Sequence, residues 1–212
     1  MCLRSCQRIR PPARSHATVI SVDCSFKETK SSDFLAAQVW SRVGPDYFLL
    51  DQVHARMGFS DTLNAIRSLW AKWPEALAVL VEDKANGSAV VDVLKREISG
   101  VIAMKPEGGK ESRVRAIEPL FAAGNVHFPD PFAAPWVVET VDEIVGFPNA
   151  PHDDRTDAMS YALPYLQRSA KGYWSGLEDV SLGARRDAIG NRSVGWDRPD
   201  LSEDRYPGSR RW

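Results

Sequence analysis

Five consecutive apolar residues, Leu77-Ala78-Val79-Leu80-Val81, run directly into two carboxylates, Glu82-Asp83. An uninterrupted apolar run of strand length predicts a strand buried on both faces, which requires a sheet covered by helices above and below. A second β-rich run, Thr18 to Asp23, also ends on a carboxylate. Two acids at the ends of two buried strands constrain the chain more than any other feature, because they can meet only if those strands are parallel neighbours.

The segments around these two runs supply the rest of a sheet. Phe34 to Val43 and Tyr47 to Ala55 are strand candidates separated by the hairpin-type break Gly44-Pro45-Asp46. Ser60 reads as an N-cap, and Leu63, Ile66, Leu69, Trp70 and Trp73 recur at helical spacing. Val90, Val91, Leu94 and Ile98 give a second helix face, which Gly100 should stop. Val101 to Met104 is a fifth strand candidate. Ser112 to Ala123 reads as a helix that Pro119 should kink or split, and Pro135 opens another that carries Val137, Val138, Val141 and Ile144. A last helix starts near Asp153-Asp154 and runs to about Leu163, where Pro164 should end or kink it. The expected architecture is α/β, a mixed five-stranded sheet in the order βββαβαβ flanked by helices. The first three strands form an antiparallel meander, and right-handed helix crossovers place the later strands parallel to the first. This is the order of the ribonuclease-H-like fold.

The ends of the chain read differently. Residues 1–16 carry Arg4, Arg8, Arg10 and Arg14 around Pro11-Pro12 and are expected to be a flexible basic segment. Residues 171–212 are rich in Gly, Arg and Asp without periodicity and are expected to form a poorly ordered polar tail. The folded domain is therefore expected to span 17–170. The formal net charge is -1, so any nucleic-acid surface must be local. Three cysteines, Cys2, Cys6 and Cys24, make a poor disulfide framework and fit a reducing cytoplasm. No apolar run approaches the length of a membrane span, and residues 1–16 lack the apolar core of a secretory signal.

In His152-Asp153-Asp154-Arg155-Thr156-Asp157, Asp154 and Asp157 stand three apart and share one helix face. If that helix packs beside the ends of the first and fourth strands, Asp23, Glu82 or Asp83, Asp154 and Asp157 converge. Like charges in one pocket repel, and hard divalent cations with oxygen ligands relieve that repulsion. Two such ions, roughly 3.5–4 Å apart, stabilise both oxygens of an in-line phosphoryl displacement. Taken singly, each acid also fits a structural role: Asp23 in a turn, Asp153 and Asp154 as cap and first-turn acids, Glu82 or Asp83 at a solvated strand end. Lys105, Lys110, Arg113 and Arg115 bracket Gly108-Gly109 and suit phosphate contact or, equally, a solvated helix start. Lys84 could also touch a phosphate. His54 and His127 lie in strand-like runs and read as structural, and His152 reads as a neighbour of the acids. Cys24 reads as packing.

These segments resemble phage terminase large subunits in their C-terminal nuclease half. Val19-Ile20-Ser21-Val22-Asp23-Cys24-Ser25-Phe26-Lys27, followed by Ser32-Asp33-Phe34, is similar to the first nuclease motif. Val81 to Gly87, followed by Ala89 to Leu94, is similar to the second, and His152 to Ala158 to the third. Lys105 to Arg113 resembles the basic loop between them. The resemblance covers roughly 17–168. It implies a metal-dependent endodeoxyribonuclease that cuts double-stranded DNA during packaging. It implies Asp23, Glu82 and Asp154 as metal-binding acids, with Asp23 bridging two Mg²⁺ or Mn²⁺ ions and Glu82 and Asp154 holding one each. Asp157 would be a further ligand or would orient one, and Asp83 and Asp153 are reserves. No Walker A signature is present, since Gly108-Gly109-Lys110 is followed by Glu111. The expected partners are therefore DNA and a separate ATPase motor, a small terminase subunit or a portal, in a bacterial host cytoplasm, with the gene carried by a phage or prophage. The alternatives are another ribonuclease-H-like nuclease, such as a Holliday-junction resolvase, or a non-catalytic prophage remnant that binds DNA or a portal.

Overall fold

The structure is a computed structural model, and it describes residues 17–24, 34–83, 87–106 and 108–168. The basic segment 1–16 and the tail 171–212 lie outside the described residues, as does Lys84. Strand β1 (Ala17–Cys24) pairs antiparallel with β2 (Phe34–Val43), which pairs antiparallel with β3 (Asp46–Arg56). Helix α1 (Phe59–Lys72) leads to β4 (Ala76–Glu82), which lies parallel to β1. Helix α2 (Gly87–Leu94) leads to β5 (Val101–Met104), parallel to β4. Helix α3 (Lys110–Ala122), the short β6 (Val126–His127), α4 (Val137–Gly146) and α5 (154–168) follow. The sheet order is β5-β4-β1-β2-β3-β6.

The expected order of seven elements is therefore present, with one strand more than expected. Strand β6 pairs parallel with β3 only at Tyr47↔Val126 and Phe48↔His127. Two residues are too few to display a periodicity, so the sequence pattern could not announce it.

Side-chain alternation sorts the sheet into two cores. Ile20, Val22, Val79 and Val81 face α1 and α2, where Leu63, Ile66, Leu69, Val90, Val91 and Leu94 meet them. Val19, Ala78, Leu80 and Trp40 face the other way, against Ile117 of α3, Ile144 of α4, and Met159, Ala162, Leu163 and Leu166 of α5. The period of two thus carries Val19 to Ser21 to Asp23, and Ala78 to Leu80 to Glu82, along the face that α5 covers.

Several local expectations change. Leu77, the second residue of β4, is exposed, so the strand is buried on both faces only beyond it. Gly58, not Ser60, is the N-cap of α1, and Ser60 is an exposed residue of the first turn. Helix α2 ends at Leu94, and Ile98 continues the apolar face from a turn whose N–H donates to the Leu94 carbonyl. Neither proline ends its helix: Pro119 lies inside α3 and α5 runs on past Pro164 to residue 168. Pro135 sits in the turn before α4 and not in its first position. Among the described residues no helix is long and apolar enough to cross a membrane.

Candidate metal centre

Strands β1 and β4 are parallel neighbours, so their C-terminal ends lie side by side. Asp23 and Glu82 occupy those ends on the face covered by α5. Asp157, in the first turn of α5, projects between them. One carboxylate oxygen from each of Asp23, Glu82 and Asp157 lies within 4.8 Å of the others, and all three residues are buried.

Helix α5 is held in this place by polar bonds at its start. The Ser21 hydroxyl, two residues before Asp23, donates to the Ala158 carbonyl at 2.7 Å. Glu143 of α4 accepts from the Thr156 backbone N–H at 2.9 Å, the Thr156 hydroxyl at 3.2 Å and Arg155 Nη1 at 3.0 Å. A helix start leaves backbone N–H groups without partners, and here a carboxylate from another helix satisfies one of them. Arg155 also reaches Glu139 at 2.6 Å, so two acids of α4 clamp the start of α5.

The electrostatics of the pocket are those of crowded acid. Burial, then a hydrogen bond shared with Glu82 and the charges of Glu82, Asp157 and Asp154, hold the Asp23 carboxyl well above the ordinary carboxylate range. Burial also raises Asp157, although Lys110 and Arg113 oppose the shift. Lys110 Nζ lies 2.6 Å from Asp157 Oδ2 and 2.8 Å from Asp153 Oδ2, and Arg113 Nη2 lies 2.7 Å from Asp157 Oδ1. Burial works to lower Lys110, but its bonds to these two carboxylates carry it upward. Tyr161, one turn beyond Asp157, donates its hydroxyl to Glu82 Oε1 at 2.8 Å. Its ring packs against the Arg113 guanidinium, 4.8 Å away. Burial and the bond to Glu82 raise its phenol.

The other expected site residues fall in distinct places. Asp154 is beside the triad, near enough for its charge to act on Asp23, and its Oδ2 is 3.9 Å from His54 Nε2. Asp83 follows Val81 in the alternation, on the α2 side, where it accepts from the Ser88 hydroxyl at 2.7 Å. Asp153 holds Lys110. Arg113 is buried, with its guanidinium engaged by Asp157, while Arg115 is exposed beside Glu111 at 3.6 Å. Lys105 is exposed in a cleft that also involves Met104, Arg113, Tyr161 and Arg168. His152 packs at a tilt against Phe34, and His127 pairs with Asp46 at 3.1 Å. Cys24 packs in the α1–α2 core, its thiol pushed up to about 12 by burial and by the acids nearby. Sequence reasoning missed Tyr161 and Glu143. The spacing of four from Asp157 to Tyr161 was the available signal for the first.

A buried triad of acids at the ends of adjacent parallel strands, on a ribonuclease-H-like sheet, defines the class of this protein. The comparisons narrow it: residues 20–166 match the terminase RNase H-like domain, and the chain belongs to that family. No curated protein sequence matches it. Among solved structures, the large terminase nuclease from thermophilic phage G20c with bound zinc is similar at 17% identity. That match covers 69% of this chain and 80% of the other, with a TM-score of 0.54. The g2p (large terminase) nuclease domain from bacteriophage SPP1 with bound Mn is 17% identical over 72% of this chain and 88% of the other, at a TM-score of 0.53. The large terminase from another thermophilic bacteriophage is 12% identical over 74% of this chain, at a TM-score of 0.57. The match spans 41% of that longer protein. At these identities the solved structures establish the shared fold.

Proposed function

We propose that the chain is a metal-dependent endonuclease that hydrolyses phosphodiester bonds of double-stranded DNA, in the manner of terminase genome cleavage, with two Mg²⁺ or Mn²⁺ ions. The observation that carries this reading is the convergence of Asp23, Glu82 and Asp157 within 4.8 Å. Three buried carboxylates with a raised Asp23 fit a hard divalent cation, whose charge offsets the repulsion that otherwise favours protonation. The metal-bound neighbours from phages G20c and SPP1 support the same reading.

Asp23, Glu82 and Asp157 would hold one ion, and Asp23 and Asp154 would face the second. When bound, such ions activate water and stabilise the charge on the attacking and leaving oxygens. The protein groups prepare that chemistry. Tyr161 bonds one oxygen of Glu82 and so orients its carboxylate in the pocket. Arg113 and Lys110 fix Asp157, and the partly exposed Lys110 ammonium is open to an approaching phosphate. Lys105 and Arg168 border the cleft next to Tyr161, which gives a DNA strand a basic approach. We assign this activity to residues 17–170, with the basic segment 1–16 and the polar tail 171–212 outside it. A separate ATPase motor, small terminase subunit or portal would complete a packaging machine.

The test is nicking of supercoiled plasmid by the full chain with Mg²⁺ or Mn²⁺, beside Asp23→Asn. We expect cleavage that a chelator abolishes, and a loss on the order of 100-fold or more in the variant. Absence of metal-dependent cleavage, or equal cleavage by the variant, overturns the proposal.

A further inference from the structure

The cross-strand register places a nitrogen donor on the same face as the acids. Asp23 of β1 stands opposite Ala36 of β2, and Ala36 stands opposite His54 of β3. Directly paired residues share a face, so Asp23, Ala36 and His54 form one row across the sheet. The methyl group of Ala36, fully buried, leaves a low floor between the two larger side chains. Asp154 descends onto this row from α5, with Oδ2 at 3.9 Å from His54 Nε2.

The His54 ring is only 9% exposed. It stacks flat on Phe34, with centroids 4.6 Å apart and planes 4° apart, and Arg56 lies over the same Phe34 ring. Stacking fixes the plane of the imidazole. Its Nε2 is buried and has no hydrogen-bond partner among the described residues. A buried ring nitrogen without a partner is destabilising unless a ligand uses its lone pair. The separation of 3.9 Å between Nε2 and Asp154 Oδ2 falls within the roughly 4.2 Å that two donors, each about 2.1 Å from one ion, can span.

We infer that His54 Nε2 and Asp154 Oδ2 form a mixed nitrogen–oxygen pair that takes up a second cation beside the triad. This rests on the metal-dependent reading above and gives the two ions unlike environments. The triad of Asp23, Glu82 and Asp157 offers oxygen alone, which suits Mg²⁺ and Mn²⁺ alike. The imidazole subsite favours transition ions such as Mn²⁺ over Mg²⁺.

Mn²⁺ binding to the full chain, read by electron paramagnetic resonance with nitrogen spin-echo modulation, tests this directly. The wild type should bind two Mn²⁺ ions, one of them coupled to a directly coordinated nitrogen. His54→Phe keeps the stack on Phe34 and should lose the nitrogen coupling and one ion. Asp154→Asn should weaken the nitrogen-coupled ion by about 10-fold or more. His152→Ala should leave the coupling intact. Mn²⁺ bound by the wild type without nitrogen coupling, or coupling that persists in His54→Phe, overturns the assignment while leaving the triad untouched. Nitrogen-coupled Mn²⁺ on a chain that never nicks DNA upholds the ligand and overturns the nuclease reading instead.

Discussion

Tyr161 shows how one side chain sets the state of another. Its hydroxyl donates to one oxygen of Glu82, and its ring is wedged against Arg113, which in turn holds Asp157. Two members of the triad are therefore oriented through a single residue that contributes no ligand. Tyr161→Phe removes the hydroxyl and keeps the ring. The loss of one buried hydrogen bond to a charged group costs about 1–3 kcal/mol, and we expect Mn²⁺ affinity to fall about 10-fold. Calorimetric titration of the variant measures it, and unchanged affinity would show that Glu82 needs no such support. Asp23 and Glu82 were legible in the sequence because each ends an apolar strand. The same alternation places Asp83 with Val81 on the other face. Asp154 and Asp157 could not be ranked in this way. They share a helix face, and which one enters the triad depends on the rotation of α5 about its axis. That rotation is set by Met159, Ala162, Leu163 and Leu166 in the core, a tertiary matter.

At the scale of elements, the clamp between α4 and α5 fixes where that rotation stops. Glu143 is buried, accepts three bonds and satisfies one of the backbone N–H groups at the start of α5. In the sequence it is one acid of an amphipathic helix, and nothing in its spacing distinguishes it from a solvated residue. Glu143→Gln leaves Arg155 half-partnered, since Glu139 on the outer side is largely exposed. Breaking a buried pair on one side costs roughly 3–5 kcal/mol. We expect a drop of that order in a denaturant melt, with the metal-binding site weakened as α5 loosens. A change under about 0.5 kcal/mol would mean that apolar packing alone holds the helix. The row Asp23–Ala36–His54 was hidden for a related reason. It depends on the register of two hairpin strands that carry an irregularity between Val39 and Trp40, and register is not readable from composition.

For the molecule as a whole, the acidic pocket couples folding to pH and to divalent ions. Asp23 and Asp157 are both raised in the folded state, so the folded chain retains protons that the unfolded chain releases. Their contribution to stability is neutral below the ordinary carboxylate range and turns unfavourable as pH rises from about 4 through the raised values. Without divalent ions, Asp23→Asn should therefore melt higher than the wild type at neutral pH, with the gap closing near about pH 4. Saturating Mn²⁺ should reverse the order, because only the wild type presents the full set of anionic ligands. Thermal melts across pH, with and without the ion, check both signs. The parallel adjacency of β1 and β4 was expected from sequence, and it makes this coupling possible.

The most direct test is to grow crystals of the full chain with Mn²⁺ and map its anomalous scattering. We expect a peak among the carboxylates of Asp23, Glu82 and Asp157. A well-ordered crystal at saturating Mn²⁺ with that pocket empty, or with the metal bound only elsewhere, would contradict it.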